Sequence, residues 1–470
     1  MIALTLAEVA AATDGRLSPG TDPQAVVTGP VVADSRTVTP GALFVALAGE
    51  RTDGHDHAAA AVADGAVAVL AGRDLPVPAV VVEDPLTALG RLTRAVIDRL
   101  PELTVVGVTG SSGKTSTKDL LAAVLSAAGP TVAPVGSFNN ELGLPLTALR
   151  CDPGTRFLVA EMGARGPGHI RYLCGITPPR IGVVLNVGAA HAGVFGSIAA
   201  TAAAKGELPA ALGAGGVAVL NADDPAVRRM AVGAGARTVL FGESGSAQVR
   251  ALDVRLDPMA RPTFRLVTPD GEAEVSLQLH GEHHVSNALA AAAVGLAAGL
   301  DLDQVAGRLG AATAASRWRM EVTARPDGVV VVNDAYNANP DSVRAALKAL
   351  VAMGRGGDGR EGARTWAVLG EMAELGDTAD TEHDAIGRLA VRLDVSHLVA
   401  VGEGPPRMTH QGAAQEGSWA DEAAWVPDPD AAFELLAPRL RPGDVVLVKA
   451  SRSVGLDALA ARLLAGEGVA

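Results

Sequence analysis

An apolar run at Leu103–Val108 breaks into Gly110-Ser111-Ser112-Gly113-Lys114-Thr115-Ser116, and an amphipathic pattern follows from Lys114 to Ala128. A strand, a glycine-rich turn and a helix in that order constrain the chain more than any other feature, because open parallel sheets are built from this unit. Successive backbone N–H groups at a helix N-terminus bind phosphate, and glycine lets the backbone curl around it. Lys114 is placed to neutralise β- and γ-phosphates, and the Thr115 hydroxyl to ligate Mg²⁺. Gly110, Ser111, Ser112, Gly113 and Ser116 supply the rest of the cradle. The spacing departs from strict G-x-x-x-x-G-K-[ST], since Val108 stands five residues before Gly113 and the nearest glycines are Gly107 and Gly110. The strand–loop–helix context therefore carries the assignment.

Strand and helix patterns alternate on both sides of that unit. Residues 1–100 mix short strands at Ala42–Leu47 and Ala79–Val82 with Ala-rich helices at Ala58–Asp64 and Leu86–Leu100, punctuated by Pro40-Gly41 and Asp53-Gly54. From Pro101 a second unit begins. It continues with strands at Phe157–Ala160 and Ile181–Leu185, a helix over Ile198–Leu212, a hairpin of Thr263–Val267 and Ala273–Leu279 around Pro269-Asp270-Gly271, and a closing helix Val285–Ala298. From Ser316, strands at Val329–Asn333, Thr365–Leu369, Leu398–Val401 and Asp444–Val448 with helices between them read as a doubly wound sheet. Its first strand–helix junction lacks G-x-G-x-x-G, so no nicotinamide or flavin site is expected. Gly354–Ala363, rich in Gly and Arg, reads as a solvated loop. The expectation is an α/β chain of three domains, 1–100, 101–315 and 316–470, which suits 470 residues at about 150 per domain.

A formal net charge of −13, with both signs interspersed, speaks against a nucleic-acid groove built on phosphate neutralisation. Cys151 and Cys174 are too few for a disulfide framework or a thiolate cluster, and read as reduced structural thiols of a cytoplasmic protein. The opening MIALTLAEVAAATDG has neither the basic stretch nor the long apolar core of a signal peptide, and no run of about 18 apolar residues occurs, so membrane insertion is not expected.

The strand Phe157–Ala160 runs into Glu161-Met162-Gly163, which puts a carboxylate where a hard cation beside phosphates would take an oxygen ligand. Taken singly, an apolar strand followed by Glu is common, and a lone His191 after Asn186-Val187-Gly188 is more often structural. The series as a whole is specific. Gly110–Ser116, Phe138-Asn139-Asn140 with Gly143 and Pro145, Glu161-Met162-Gly163, Asn186 with His191, and Ala204-Lys205-Gly206-Glu207 resemble, in order and spacing, the motifs of Mur ligase family central domains. His280-Gly281 through Asn287-Ala288 resembles the family's adenine-contacting segment. Arg319-Met320-Glu321 and Asp334–Pro340 resemble the third-domain pieces that close over ATP. Lys449-Ala450-Ser451-Arg452-Ser453 resembles a substrate-binding segment that usually reads Lys-Gly-Ser-Arg, with Ala450 in place of the glycine.

This resemblance, which covers nearly the whole chain, implies an amide ligase with a UDP-binding first domain, a P-loop ATPase-like central domain and a Rossmann-like third domain. It implies ATP binding by Gly110–Ser116 with Asn287, Arg319, Asp334 and Asn337, and two Mg²⁺ ions held by Thr115, Glu161, His191 and Lys205. Lys114, Glu161, His191 and Lys205 are the implied catalytic groups. In the family the lysine at this last motif is carbamylated by CO₂, which turns a cation into an anionic oxygen ligand; from the residues alone, Lys205 reads as a solvated helix lysine. Substrate binding is implied for Asn139, Asn140, Lys449, Ser451 and Arg452.

In the first domain, Asp34-Ser35-Arg36, Pro40–Leu47, Gly49-Glu50-Arg51 and Asp53–Asp56 resemble the UDP-binding domain of family members that take longer peptides, which places Ser35 and Arg36 near the uridine diphosphate. The sister ligase adding meso-diaminopimelate typically carries Asp-Asn-Pro-Arg, which does not occur here, whereas Gly370–Gly376 and Asp334–Pro340 resemble the dipeptide-adding member. The implied activity is ATP-dependent ligation of D-alanyl-D-alanine to UDP-N-acetylmuramoyl-tripeptide through an acyl phosphate, by a cytoplasmic monomer. The alternatives are a Mur-type ligase adding a diamino acid and a folylpolyglutamate synthase-like amide ligase, the latter disfavoured by the separate domain ahead of the loop. Outside the ligases stands a P-loop switch or motor, for which neither Asn-Lys-x-Asp nor a partner-coupling element is present.

Overall fold

One nine-stranded sheet organises the middle of the chain, in the order Thr131–Val132, Phe157–Glu161, Thr104–Thr109, Ile181–Val184, Val217–Asn221, Arg237–Gly242, Val249–Leu256, Pro262–Thr268, Gly271–Ser276. Pairing is parallel from Thr131–Val132 through Val249–Leu256, and the hairpin after it adds on antiparallel. The computed structural model describes residues 1–49, 52–188, 197–355, 363–418 and 420–466. Glu50, Arg51, His191 and most of the expected loop Gly354–Ala363 lie outside the described residues.

The central parallel strands are buried nearly throughout because helices cover both faces. On one face, Val106, Val108, Val159 and Val183 pack with Leu120, Leu121 and Val124 of helix Lys114–Leu125 and with Ala288–Ala293 of helix His284–Ala297. Alanine lets these two helices come close: a Cβ on Gly295 would lie 2.6 Å from Val124 Cγ1. On the other face, Leu158, Ala160 and Leu208 belong to a core that runs without a break into the first domain through Leu89, Leu92, Leu43 and Leu70. Each such fully buried Val or Leu contributes about 1.5–3 kcal/mol.

The first domain's sheet runs Arg16–Leu17, Ala79–Val81, Ala68–Ala71, Leu43–Val45, Val31–Val32, beside the pair Leu4–Thr5 and Val26–Val27. Helix Pro85–Ile97, started by Asp84 and an N1 proline, docks this domain on helices Gly143–Ala148 and His169–Ile176. The third domain has six strands in the order Glu321–Ala324, Val330–Asn333, Val445–Lys449, Thr365–Leu369, His397–Val401, Ala423–Val426, parallel except at the Glu321–Ala324 edge.

Two expectations are corrected. Val285–Ala298 does not close the central domain: helix Leu302–Ala311 follows, begun by a capping box of Asp301 and Gln304. The second hairpin strand ends at Ser276 rather than Leu279: Ser276 pairs with Thr263, next to Pro262, where the partner strand begins. Among the described residues no helix is long and apolar enough to cross a membrane.

Candidate active site

Strand Thr104–Thr109 sits between Phe157–Glu161 and Ile181–Val184, so the chain leaves it towards one side of the sheet and later returns on the other. At such a switch point the loops diverge and leave a crevice beyond the strands' C-terminal ends. The phosphate loop lies there, opening into helix Lys114–Leu125 through Gly113 at φ +80°. A side chain at 113 would also strike Asn287, whose Oδ1 lies 2.6 Å from the ideal Cβ position. Asn186 clamps the loop from the next strand, accepting from Ser112 N–H at 2.9 Å and donating to Ser112 O at 3.2 Å. Ser111, almost wholly buried, accepts from Gly188 N–H at 2.8 Å. Lys114 Nζ donates to Gly110 O at 2.7 Å. Burial pushes its pKa down, with Arg319 adding to the effect and Glu161 opposing it.

Glu161 is fully buried at the end of its strand. Its Oε1 accepts from Ser137 Oγ at 2.7 Å, Asn139 Nδ2 at 2.8 Å and Thr115 Oγ1 at 3.4 Å. Its Oε2 is buried with no hydrogen-bond partner among the described residues. A buried carboxylate oxygen left bare is costly unless a cation or donor meets it. With the Thr115 hydroxyl beside it, the donor set is the hard-oxygen kind that Mg²⁺ takes near phosphate, so these residues fit the ion.

From the third domain, Arg319 Nη2 donates to Thr115 Oγ1 at 3.2 Å, its guanidinium lies 4.2 Å from the Tyr336 ring centroid, and its buried Nε has no partner among the described residues. Lys449 bonds Asp334 Oδ2 at 2.6 Å and Asn337 O at 2.9 Å, while Asp334 Oδ1 accepts from Met320 N–H at 3.1 Å. Ser451 Oγ accepts from Ala373 N–H at 2.9 Å. Ala450 fits in place of the family glycine because residue 370 is itself glycine: a Cβ at 370 would lie 2.8 Å from that of Ala450. Arg452 stacks 4.1 Å from Trp318 and pairs with Asp457 at 2.7 Å.

Three cavities meet here. One of about 190 Å³ is bounded by Ser112, Gly113, Asn287, Arg319, Asp334 and Lys449. The next, about 150 Å³, holds the loop together with Thr115, Ser137, Glu161 and Asn337. The third, about 450 Å³, has Lys114, Asn139, Asn140 and Lys205 on the central domain and Asn337, Ser451 and Arg452 on the third. Lys114 and Asn139 line both of the last two, so the phosphate end of the crevice opens into the larger one.

Lys205 corrects the reading from residues alone. It is 2% exposed on helix Ile198–Ala210, not a solvated surface lysine. Burial, reinforced by the Lys114 charge, pushes its pKa down to about 7. Asn140 uses its Oδ1 to cap helix Gly143–Ala148, accepting from Gly143 N–H at 2.8 Å, while still lining the cleft. Ser35 and Arg36 are elsewhere: they form the turn Ser35–Thr37 in the first domain, where Arg36 pairs with Asp34 at 2.7 Å and holds that carboxyl down to about 2. Ser137 went unnoticed in the sequence, where its only signal is a position two residues ahead of Asn139.

Three family models match the chain: the Mur ligase family catalytic domain over residues 30–99, the Mur ligase middle domain over 108–295 and the Mur ligase glutamate ligase domain over 318–452. A Mycobacterium leprae protein named UDP-N-acetylmuramoyl-tripeptide--D-alanyl-D-alanine ligase is 51% identical over 100% of this chain and 99% of its own. A crystal structure of MurF from Acinetobacter baumannii superposes with a TM-score of 0.87 at 32% identity, covering 98% of this chain and 99% of that one. The MurF ligase of Thermotoga maritima in complex with ADP superposes at 0.78 with 30% identity, over 93% of this chain and 97% of that one.

Proposed function

The chain belongs to the Mur ligase family, and on that premise we propose that it uses ATP to join D-alanyl-D-alanine to the terminal carboxylate of UDP-N-acetylmuramoyl-tripeptide. The observation that carries this is the opening of the phosphate crevice, at Lys114 and Asn139, into the larger cleft walled by Ser451 and Arg452. A phosphoryl donor and a peptide carboxylate can meet there.

A carboxylate is a poor electrophile, so it is activated first. A carboxylate oxygen of the tripeptide attacks the γ-phosphorus, a new P–O bond forms, and the bond to the β-phosphate oxygen breaks to release ADP. The dipeptide amine then attacks the acyl carbon of the acyl phosphate; the C–N bond forms, the C–O bond to phosphate breaks, and the amine loses its proton. Loop N–H groups, Lys114 and Arg319 hold the phosphoryl oxygens and offset their charge, so catalysis is mainly positioning and electrostatics. Thr115 and Glu161 would hold Mg²⁺, which when bound supplies further charge neutralisation at those oxygens. A second Mg²⁺ is assigned to His191 and to Lys205 as its carbamate. A neutral amine is what adds to CO₂, and burial keeps Lys205 near neutrality at physiological pH. Asn287 and Asp334 face the nucleoside, Ser451, Arg452 and Asn139 the peptides, and Ser35 with Arg36 the uridine diphosphate. We place the domain borders at 100/101 and 315/316 and the enzyme in the cytoplasm as a monomer, since one chain supplies every group named.

The test is phosphate release from ATP and Mg²⁺ with UDP-N-acetylmuramoyl-tripeptide, with and without D-alanyl-D-alanine, and the product identified by mass. Release requiring both substrates, with a product heavier by the dipeptide, is the expected outcome. Release with neither would point to a nucleotide switch or motor instead.

A further inference from the structure

One turn beyond Lys114 on the phosphate-loop helix, Lys118 turns inward and is 3% exposed. Its Nζ donates to Pro134 O at 3.0 Å and to Ser316 Oγ at 3.1 Å, and it pairs with the carboxylate of Asp119. Asp119 Oδ2 in turn accepts from Ser316 N–H at 3.0 Å. We propose that Lys118 is a positioning residue, which with Asp119 ties two separate strips of chain to the helix that carries the phosphate loop.

Each strip delivers groups to the reacting end of the crevice. Pro134 begins the loop that presents Ser137 and Asn139 to Glu161. Ser316 begins the linker into the third domain, and three residues later Arg319 reaches Thr115. That linker is conformationally tight, since Trp318 and Met320, on either side of Arg319, are in the left-handed region at φ +58° and +49°. Side chains rarely adopt this conformation, and it persists only where its surroundings hold it. The Lys118–Asp119–Ser316 cluster is such a hold. A buried ion pair adds little net stability over apolar side chains of the same size. What these groups add is direction: the ammonium and carboxylate fix where the Glu161 loop and the Arg319 linker start.

Three variants test this: Lys118→Met, the double variant Lys118→Met/Asp119→Leu, and Ser316→Ala. Lys118→Met leaves the half-buried Asp119 carboxylate without its counter-charge and with only the Ser316 N–H as a partner among the described residues, so Tm and activity are both expected to fall. The double variant removes both charges, so Tm is expected to recover while kcat stays down about tenfold or affinity for a fluorescent ATP analogue with Mg²⁺ falls about tenfold. Ser316→Ala removes the Lys118–Ser316 Oγ bond and keeps the backbone N–H bond to Asp119, and is expected to lower kcat or that affinity about threefold at nearly unchanged Tm. A double variant with wild-type Tm, kcat and nucleotide affinity would overturn the proposal. If the double variant does not fold, wild-type kcat and affinity in Ser316→Ala overturn it instead. The kcat readout rests on the ligase function proposed above, whereas the affinity readout does not. A wild type that binds nucleotide without ligating peptides would therefore sink that function and leave affinity to decide the role of Lys118.

Discussion

Lys205 on the central domain and Lys449 on the third are equally buried, each 2% exposed, and each lines one of the connected cavities. Lys449 has Asp334 Oδ2 at 2.6 Å and the Asn337 carbonyl at 2.9 Å. Lys205 has no carboxylate partner among the described residues, and the charge that acts on it is the like charge of Lys114. Burial lowers both pKa values, but Asp334 opposes the fall at Lys449, and among the described residues no carboxylate opposes it at Lys205. Two lysines of the same exposure thus differ chemically: one is held in an ion pair within the third domain, the other is an amine with a pKa of about 7 that is open to the cleft.

The sharpest way to break that contrast is Lys205→Ala, which is expected to cut ligation on the order of 10³-fold while a short carboxylic acid partly restores it. Full activity in the variant would end any role for a carbamate. Stability separates the two lysines by sign. Lys449→Met strands the buried Asp334 carboxylate and is expected to cost about 3–5 kcal/mol by urea unfolding. Lys205→Met removes a buried cation that has no counter-charge, and in CO₂-depleted buffer below pH 7 is expected to stabilise by about 1–3 kcal/mol. The folded pKa of Lys205, about 7, lies below the ordinary lysine value of 10.5, so folding disfavours the proton. The penalty is complete below about pH 7 and fades as pH rises from there towards 10.5, so the gain from Lys205→Met shrinks over the same range. Destabilisation by Lys205→Met at pH 6 would mean that it has a partner like that of Lys449.

That difference could not be read from the sequence, although much around it could. The parallel sheet was legible because strands covered on both faces carry near-continuous apolar runs, as Val105–Val108 and Phe157–Ala160 do. The phosphate loop was legible because its chemistry is local: glycine, lysine and a hydroxyl within seven residues. The edge strands Glu321–Ala324 and Ala423–Val426 went unseen, both being four residues long; Glu321–Ala324 is also mostly exposed and carries no apolar run. The environment of Lys205 depends on packing from helix His169–Ile176 and on Lys114, far away in sequence, while its own helix reads as small residues in every direction. The same holds for Ser137 and for the Lys118–Ser316 tie, whose partners are 24 and 198 residues apart.

The smallest effect expected is also the one that tests the contrast without a mutation. If ligation needs Lys205 as a carbamate, the limiting quantity at low pH is the neutral amine, and with a pKa near 7 its fraction rises about tenfold between pH 6 and pH 8. In CO₂-depleted buffer, kcat is therefore expected to rise through that window, and added bicarbonate is expected to raise it more at pH 6 than at pH 8, where the amine is already neutral. Lys449 stays in its ion pair with Asp334 and takes no CO₂ in this scheme. A flat kcat over this range, indifferent to bicarbonate, would end the carbamate role of Lys205 and would leave Thr115 and Glu161 as the oxygen ligands available to a metal among the described residues of this cleft.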